Sequence, residues 1–398
     1  MLNKATTKPS EVLSLFTSKD IPIAFFCPTE TALKKSIIDA TYQVREILKE
    51  FNIHDFETQL QGTANKKLIE SFIVKESSLV KTKTSLYRPD TKKGDPRFWP
   101  YEFVSFASAW DLFGLIPHKG NIYYVNCSDP ALLKTINNES SPLGKLAKYF
   151  AGDISKVASE LLAKLRDISS QGSIPSLRDG ATGVGYTLET LLGIEANSKA
   201  LPDYKGIELK ASRKNPRRPS RNRQTLFSKA PLKNSPLKPI DVINQYGYFS
   251  DEEQRMQLYC TLNATKLNSQ GLSLKQIYED NQLSATFAKD DSIKKLLLWN
   301  HKDLSKSLLD KHNETFWVKA DSHVIKGREY FHYYEAIHSK KPIVDNFFYL
   351  IDDGLIEVDF LMHIKENKTG VRDHGYLFKI WPHDLDKLIP LSVTYQLC

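Results

Sequence analysis

From Leu201 to Lys210 the chain reads Leu201-Pro202-Asp203-Tyr204-Lys205-Gly206-Ile207-Glu208-Leu209-Lys210, and its last four residues alternate apolar and charged. Side chains alternate across a strand, so this segment settles only with Ile207 and Leu209 in a core and with Glu208 and Lys210 on the opposite face. With Asp203 five residues upstream of Glu208, two acids and a cation converge. That is the minimum set able to hold Mg²⁺ on a phosphate and set a positive charge beside an attacking water.

The flanks decide how this strand is read. Upstream, Gly180, Gly183 and Gly185 form a flexible loop, and Thr187 is placed to cap a helix that carries Leu188, Leu191 and Leu192 inward. Glu189 would then lie in a first helical turn, where a carboxylate often does no more than offset the macrodipole. Downstream, between Leu209 and Ile240, stand Lys210, Arg213, Lys214, Arg217, Arg218, Arg221, Arg223, Lys229, Lys233 and Lys238 without one acid. Such a run repels itself unless an anion lies against it, and Pro216, Pro219, Pro231, Pro236 and Pro239 make it an arm rather than a long helix. A DNA backbone is the natural partner, and a disordered basic surface loop is the bland alternative. The formal net charge of +8 permits a polyanionic partner without requiring one.

Elsewhere the patterns are mixed α/β. Ile21 to Cys27 predicts a strand, Thr31 to Phe51 a single helix with Leu33, Ile37, Ile38, Val44 and Leu48 inward, and Asn121 to Asn126 a buried strand. The segment Ser85 to Pro100 interleaves Arg88, Lys92, Lys93 and Arg97 with Tyr87, Phe98 and Trp99. That composition suits phosphate contact with base stacking, or equally a turn-rich loop whose aromatics pack inward. From Asp153 to Arg166 the apolar residues Ile154, Val157, Ala158, Leu161, Leu162 and Leu165 trace one helical face, followed by a hinge-like stretch from Ile168 to Pro175. At 398 residues two domains are expected, residues 1–140 and 141–398. Later, Phe316 to Ala320 and Leu355 to Met362 predict strands, and Phe347 to Ile351 a helix stopped by Gly354. Arg372, Asp373 and His374 are expected in a turn before an apolar strand, where they either read base edges or form a local salt bridge.

Other chemistries find little support. Cys27, Cys127, Cys260 and Cys398 are widely spaced and read as reduced thiols, and the histidines lack zinc spacing. The opening residues carry no apolar signal core and no stretch is long enough to span a bilayer, so neither secretion nor membrane insertion is expected.

The run from Gly180 to Lys210, with Thr187-Leu188-Glu189, Leu191-Leu192-Gly193, Asn197, Pro202-Asp203 and Gly206-Ile207-Glu208-Leu209-Lys210, resembles the MvaI/BcnI-like restriction endonucleases. These belong to the PD-(D/E)XK superfamily, with MutH and Sau3AI as relatives. The resemblance continues through Thr225-Leu226-Phe227 and returns at Arg372-Asp373-His374-Gly375 and Phe378, covering roughly residues 170–390. It implies a mixed α/β core, a central mixed sheet flanked by helices, to which the first 140 or so residues add an α+β domain for accessory DNA-binding or effector work.

By the same resemblance, Asp203, Glu208 and the Leu209 carbonyl hold Mg²⁺, for which Mn²⁺ can substitute, while Ca²⁺ supports binding without cleavage. Lys210 then acts on the water and Glu189 supports the site from upstream. The basic residues Arg213, Arg217, Arg218, Arg221 and Arg223 would hold double-stranded DNA, and Arg372, Asp373 and His374 would contribute readout. The implied protein is a type II restriction endonuclease, a monomer in preference to a dimer, in the cytoplasm of a bacterium or archaeon beside a cognate DNA methyltransferase. A MutH-like nickase and a non-catalytic DNA-binding scaffold are the rivals.

Overall fold

A computed structural model describes residues 5–91, 93–150, 155–180, 182–194, 203–213, 222–289, 292–365, 370–390 and 392–397. The architecture is mixed α/β, and it packs as two compact units that interleave along the chain. The larger takes residues 1–152, 224–305 and 343–388, the smaller 153–223, 306–342 and 389–398. The sequence reading divides the chain once, at 140/141. Packing instead crosses the chain several times, because the sheet of the smaller unit draws strands from all three of its stretches.

In the larger unit a seven-stranded sheet runs in the order Ala24–Phe26, Phe113–His118, Asn121–Asn126, Lys67–Val74, Leu79–Tyr87, Arg97–Pro100, Ile38–Asp39. Alternate residues Ile69, Ile73, Leu86, Phe98, Leu115 and Ile122 meet Val44, Ile47 and Leu48 of the helix Tyr42–Glu50 in one core. The single helix expected from Thr31 to Phe51 is two, Glu30–Lys35 and Tyr42–Glu50, with the strand Ile38–Asp39 between them. Ser36 ends the first in the left-handed region at φ 55°. Ile38 gains more as a strand partner of Phe98 than as a helical residue, its β-branch being stiff in a helix. Thr41 Oγ1 then accepts the Val44 N–H at 3.4 Å and starts the second helix.

Two further sheets complete this unit. One orders Gln224–Ser228, Val371–Ile380, Ile356–Ile364, Arg255–Leu262 and Tyr248–Ser250; the other joins Leu272–Ile277, Gln282–Lys289 and Ser292–Asn300. The helix Val344–Asp352 buries Phe347 to Ile351 and is followed by Gly354 at φ 72°, as the sequence predicts. Phe25 N–H donates to Tyr349 Oη of this helix at 2.7 Å.

The smaller unit holds a sheet ordered Val393–Gln396, Arg328–Ser339, Thr315–Ile325, Glu208–Arg213. Glu208–Arg213 runs parallel to Thr315–Ile325 at one edge, and the other pairings are antiparallel, giving a mixed sheet. The helix Lys156–Ser170 buries Ala158, Leu161, Leu162 and Leu165, on the face predicted from spacing, against Ile207, Leu209, Phe316 and Phe331. It runs past its expected end, so that Ile168, expected to open a hinge-like stretch, is buried in the same core, while Ile154 lies outside the described residues. Among the described residues no helix is long and apolar enough to cross a membrane.

Candidate active site

The site begins with a tight reversal. Tyr204 and Ile207 exchange backbone hydrogen bonds, both at 2.9 Å, across Lys205 and Gly206 at φ 48° and 95°. Two successive positive φ values define a two-residue turn that favours glycine at its second position. The reversal folds Asp203 back beside the strand it precedes, and Asp203 Oδ2 accepts the Leu209 N–H at 2.9 Å. Glu208 N–H, one residue earlier, donates inward to the Glu314 carbonyl at 2.7 Å. A strand residue directs its N–H and C=O to the same side, so the Leu209 carbonyl also faces the open edge where Asp203 lies.

The alternation predicted for this strand is realised. Ile207 and Leu209 are buried at 2% and 5% exposure, Glu208 is half-buried and Lys210 exposed. Lys210 Nζ lies 5.0 Å over the ring of Trp317, its register partner on the neighbouring strand. Beneath the turn, Tyr204 Oη donates to Glu160 Oε1 at 2.7 Å, and Lys205 Nζ reaches the two carboxylate oxygens of Glu160 at 2.9 and 2.7 Å. Neither Trp317 nor Glu160 was legible as part of the site, because strand register across roughly a hundred residues and the packing of a helix against a turn leave no local mark.

Glu189 arrives differently from expectation. The helix is Gly183–Leu191 with Thr182 before it, so Thr187 is no cap; buried mid-helix, its Oγ1 accepts the Leu177 N–H at 3.0 Å. Glu189 therefore lies near the C-terminal end, where the macrodipole disfavours a carboxylate, and the dipole-offsetting role suggested for it does not apply. Gly193, at φ 72°, closes the helix: its N–H donates to Thr190 O at 3.1 Å and Ile194 N–H donates to Glu189 O at 2.9 Å.

The carboxylates act on one another. Burial first, then the charge of Asp203, push Glu189 above the usual glutamate range, with Arg178 pulling it down and Glu208 adding a smaller push. Glu208 is raised by burial and by Asp203, and lowered by Lys210. Desolvated acids of like charge on an accessible face leave negative potential that a divalent cation would relieve. Among the described residues no three Asp, Glu, His or Cys side chains form a closed metal cage. Mg²⁺ does not require one, since it keeps several waters and takes one or two carboxylates. Asp203, Glu208 and the edge-facing Leu209 carbonyl fit that demand.

The predicted DNA-contacting residues fare unequally. Lys92, Arg217, Arg218 and Arg221 lie outside the described residues, as does the side chain of Asp373. Arg213 is gripped by Glu329, Nε to Oε1 and Nη2 to Oε2 both at 2.7 Å, while Arg223 is half-buried. Arg88 donates to the carbonyls of Gly94, Lys93 and Gln59, closing its own loop; Lys93 is exposed and Arg97 pairs with Asp39 at 3.5 Å. Phe98 and Trp99 are buried, so the inward-packing alternative for that loop is realised and no exposed stacking pair forms.

Arg372 and His374 stand in the strand Val371–Ile380, not in a turn before it. Gly375, which looks like a turn residue, takes φ 113° within the strand, opposite an irregularity between Phe360 and Met362. Arg372 pairs in register with His363, and the two line a cavity of about 1150 Å³ with Arg255 and Lys365. Burial, then the charges of Arg255, His374 and Arg372, hold His363 below its ordinary value.

Comparison with known proteins follows the same segment. The sequence profile of the MvaI/BcnI restriction endonuclease family matches residues 162–389. Among solved structures, the chain is similar to restriction endonuclease MvaI in complex with its cognate DNA substrate, at 22% identity and a TM-score of 0.36, covering 62% of this chain and 100% of that one. It is also similar to MvaI in the absence of DNA, at 22% identity and a TM-score of 0.40, covering 61% and 99%. No curated protein matches significantly.

Proposed function

The chain belongs to the MvaI/BcnI restriction endonuclease family, and from that premise we propose that it is a Mg²⁺-dependent, sequence-specific endonuclease that hydrolyses phosphodiester bonds of duplex DNA. The observation that carries the reading is the reversal at Lys205-Gly206, which brings the Asp203 carboxylate to the edge of the strand bearing Glu208 and Lys210. Asp203, Glu208 and the Leu209 carbonyl would hold Mg²⁺. When bound, the ion supplies Lewis acidity toward a scissile phosphate oxygen.

The remaining steps belong to the chain. Lys210, exposed above Trp317, orients the water, assists its deprotonation and offsets charge on the pentavalent phosphorus. The water oxygen forms a P–O bond as the bond to the 3′-oxygen breaks, leaving a 5′-phosphate and, after protonation from solvent, a 3′-hydroxyl. Glu189, raised by burial and by Asp203, is assigned the supporting acid's role from upstream.

Recognition is assigned to the larger unit. Arg372 and Lys365 line one cavity with His363 and with Arg255, which pairs with Glu253 at 3.1 Å, and the Arg372 and Lys365 cations are able to meet phosphate or the acceptor-rich edge of guanine. Arg223, His374 and the arginines between Arg213 and Arg223 are assigned to the same duplex. Residues 1–161 lie outside the family match, and we assign 1–140 an accessory DNA-binding or effector role. A methyltransferase protecting the same site, a cytoplasmic location and a monomeric state complete the reading.

The decisive experiment digests a sequenced plasmid with Mg²⁺, maps the ends, and repeats the incubation in Ca²⁺ as a gel shift. Discrete fragments in Mg²⁺ and retarded intact DNA in Ca²⁺ are expected. Retarded DNA that is never cut would replace the nuclease reading with a binding scaffold, and a nick confined to one strand would favour a repair-type nickase.

A further inference from the structure

Arg178 is assigned no role in the chemistry proposed above beyond lowering Glu189. It precedes the helix Gly183–Leu191, its side chain is exposed, and its guanidinium carbon lies 3.8 Å from the centroid of the Tyr186 ring. Tyr186 is three residues before Glu189 and so adjoins it on the helix surface. Gly185 is four residues before Glu189, and a Cβ there would stand 3.6 Å from Glu189 Oε1. The surface beside the Glu189 carboxylate is therefore bare backbone with a stacked cation at its border.

The loop that presents Arg178 is tied down at several points. Ser176 Oγ donates to the Arg178 carbonyl at 2.7 Å, and Arg213 Nη2 donates to Gly180 O at 3.0 Å. Gly183 passes so near the Arg178 carbonyl that a Cβ would come within 2.4 Å of it. Among the described residues Arg178 forms no ion pair with Glu189, although its charge is close enough to draw that carboxyl down. It differs from Arg213, whose guanidinium is closed in a fork with Glu329. An exposed guanidinium, held on an aromatic face beside an acid cluster, keeps its planar set of donors for an incoming oxyanion.

We propose that Arg178, held on the ring of Tyr186, forms a seat for a DNA backbone phosphate neighbouring the one that is cut, positioning the strand over Asp203, Glu208 and Lys210. Arg178 supplies the bidentate donors on the side of Tyr186 away from Glu189, and Tyr186 holds the guanidinium. The inference rests on the nuclease reading and adds to it a residue that binds the substrate without touching the scissile phosphorus.

The test uses the full chain with Arg178→Ala, Arg178→Lys, Tyr186→Phe and Tyr186→Leu. Duplex affinity is measured in Ca²⁺ across a series of KCl concentrations, cleavage in Mg²⁺, and melting checks the fold of each variant. Losing one phosphate contact should flatten the slope of log affinity against log salt by about 0.9 in Arg178→Ala, a change that a structural defect alone would not produce. Arg178→Lys should keep the wild-type slope while losing cleavage rate, Tyr186→Phe should match wild type, and Tyr186→Leu should fall with Arg178→Lys. A wild-type slope and rate in Arg178→Ala, beside a wild type that binds and cuts, would overturn this seat alone. Failure of the wild type itself to bind and cut duplex DNA defeats the nuclease reading, and the seat with it.

Discussion

Two groups of acids distinguish the two units. In the smaller, Glu189, Asp203 and Glu208 lie half-buried near an open strand edge with Lys210 beside them. In the larger, Asp345 is buried on the helix Val344–Asp352 and pushed well up by burial and by Glu50 and Glu46, while Asp352 accepts a hydrogen bond from Tyr278 Oη and is raised to about 7. Glu189 and Glu208 in the first group, and Asp345 and Asp352 in the second, are all raised. A raised carboxyl is therefore a poor marker of a site by itself; access from solvent and a neighbouring cation separate the first group from the second.

Removing the cation is the sharpest way to test that contrast. Lys210→Ala should lower cleavage by roughly a thousandfold while duplex binding in Ca²⁺ persists, as expected for loss of a charge that acts on the transition state. Cleavage at the wild-type rate would reduce the smaller unit's acids to the same status as those around Asp345.

Divalent ions should tell the groups apart next. Glu189 and Glu208 both rise above the ordinary 4.5, so their contribution to the metal-free fold is complete below that value and is lost as pH rises through their raised folded values. Asp352 behaves likewise between 3.8 and about 7. Ca²⁺ at a hundred times its dissociation constant should add about 2.7 kcal/mol to the fold at pH 8, and far less at pH 5. Glu208→Gln should melt higher than wild type without metal at pH 8 and lose the Ca²⁺ gain. If Ca²⁺ stabilises that variant as strongly as wild type, the ion binds elsewhere.

Asp345 supplies the third test. Burial and the charges of Glu50 and Glu46 push its carboxyl well up and so disfavour the charged form, and Asp345→Asn, which keeps the shape without the charge, should melt close to wild type. Asp345→Ala should cost about 1–3 kcal/mol by stranding buried polar groups. A large loss in Asp345→Asn would mean that a charge is needed there, and the contrast between the groups would weaken. The smallest effect belongs to Glu160, whose exposed carboxylate holds the turn from below. Glu160→Ala should raise the Mg²⁺ needed for half-maximal cutting, and Glu160→Gln, which can still accept from Tyr204 Oη, should recover most of it. Equal Mg²⁺ dependence in all three proteins would remove Glu160 from the support of the site.

What could be read in advance was whatever depends on near neighbours. Ile207 and Leu209 face inward because alternation leaves no other choice, and the face of Lys156–Ser170 follows from its spacing. Misreadings arose where a distant partner overrode a local preference. Ile38 joined Phe98 and split a predicted helix, and Gly375 entered a strand at a bulge of that same strand, where two residues face one and φ is 113°. Thr187 resembled a cap, but its hydroxyl was claimed by Leu177. Arg88 and Arg372 look equally basic in the sequence. One meets three carbonyls and the other a group of cations, a difference created only by folding.

The parallel pairing of Glu208–Arg213 with Thr315–Ile325 also bears on when during synthesis the site can assemble. A ribosome that has delivered Lys210 must add roughly one hundred more residues before the neighbouring strand and Trp317 exist, and such non-local pairing is slow to form. A nascent or truncated chain thus carries the acids without the sheet that aligns them. Strand order ties the alignment of Glu208 and Lys210 to the later part of synthesis.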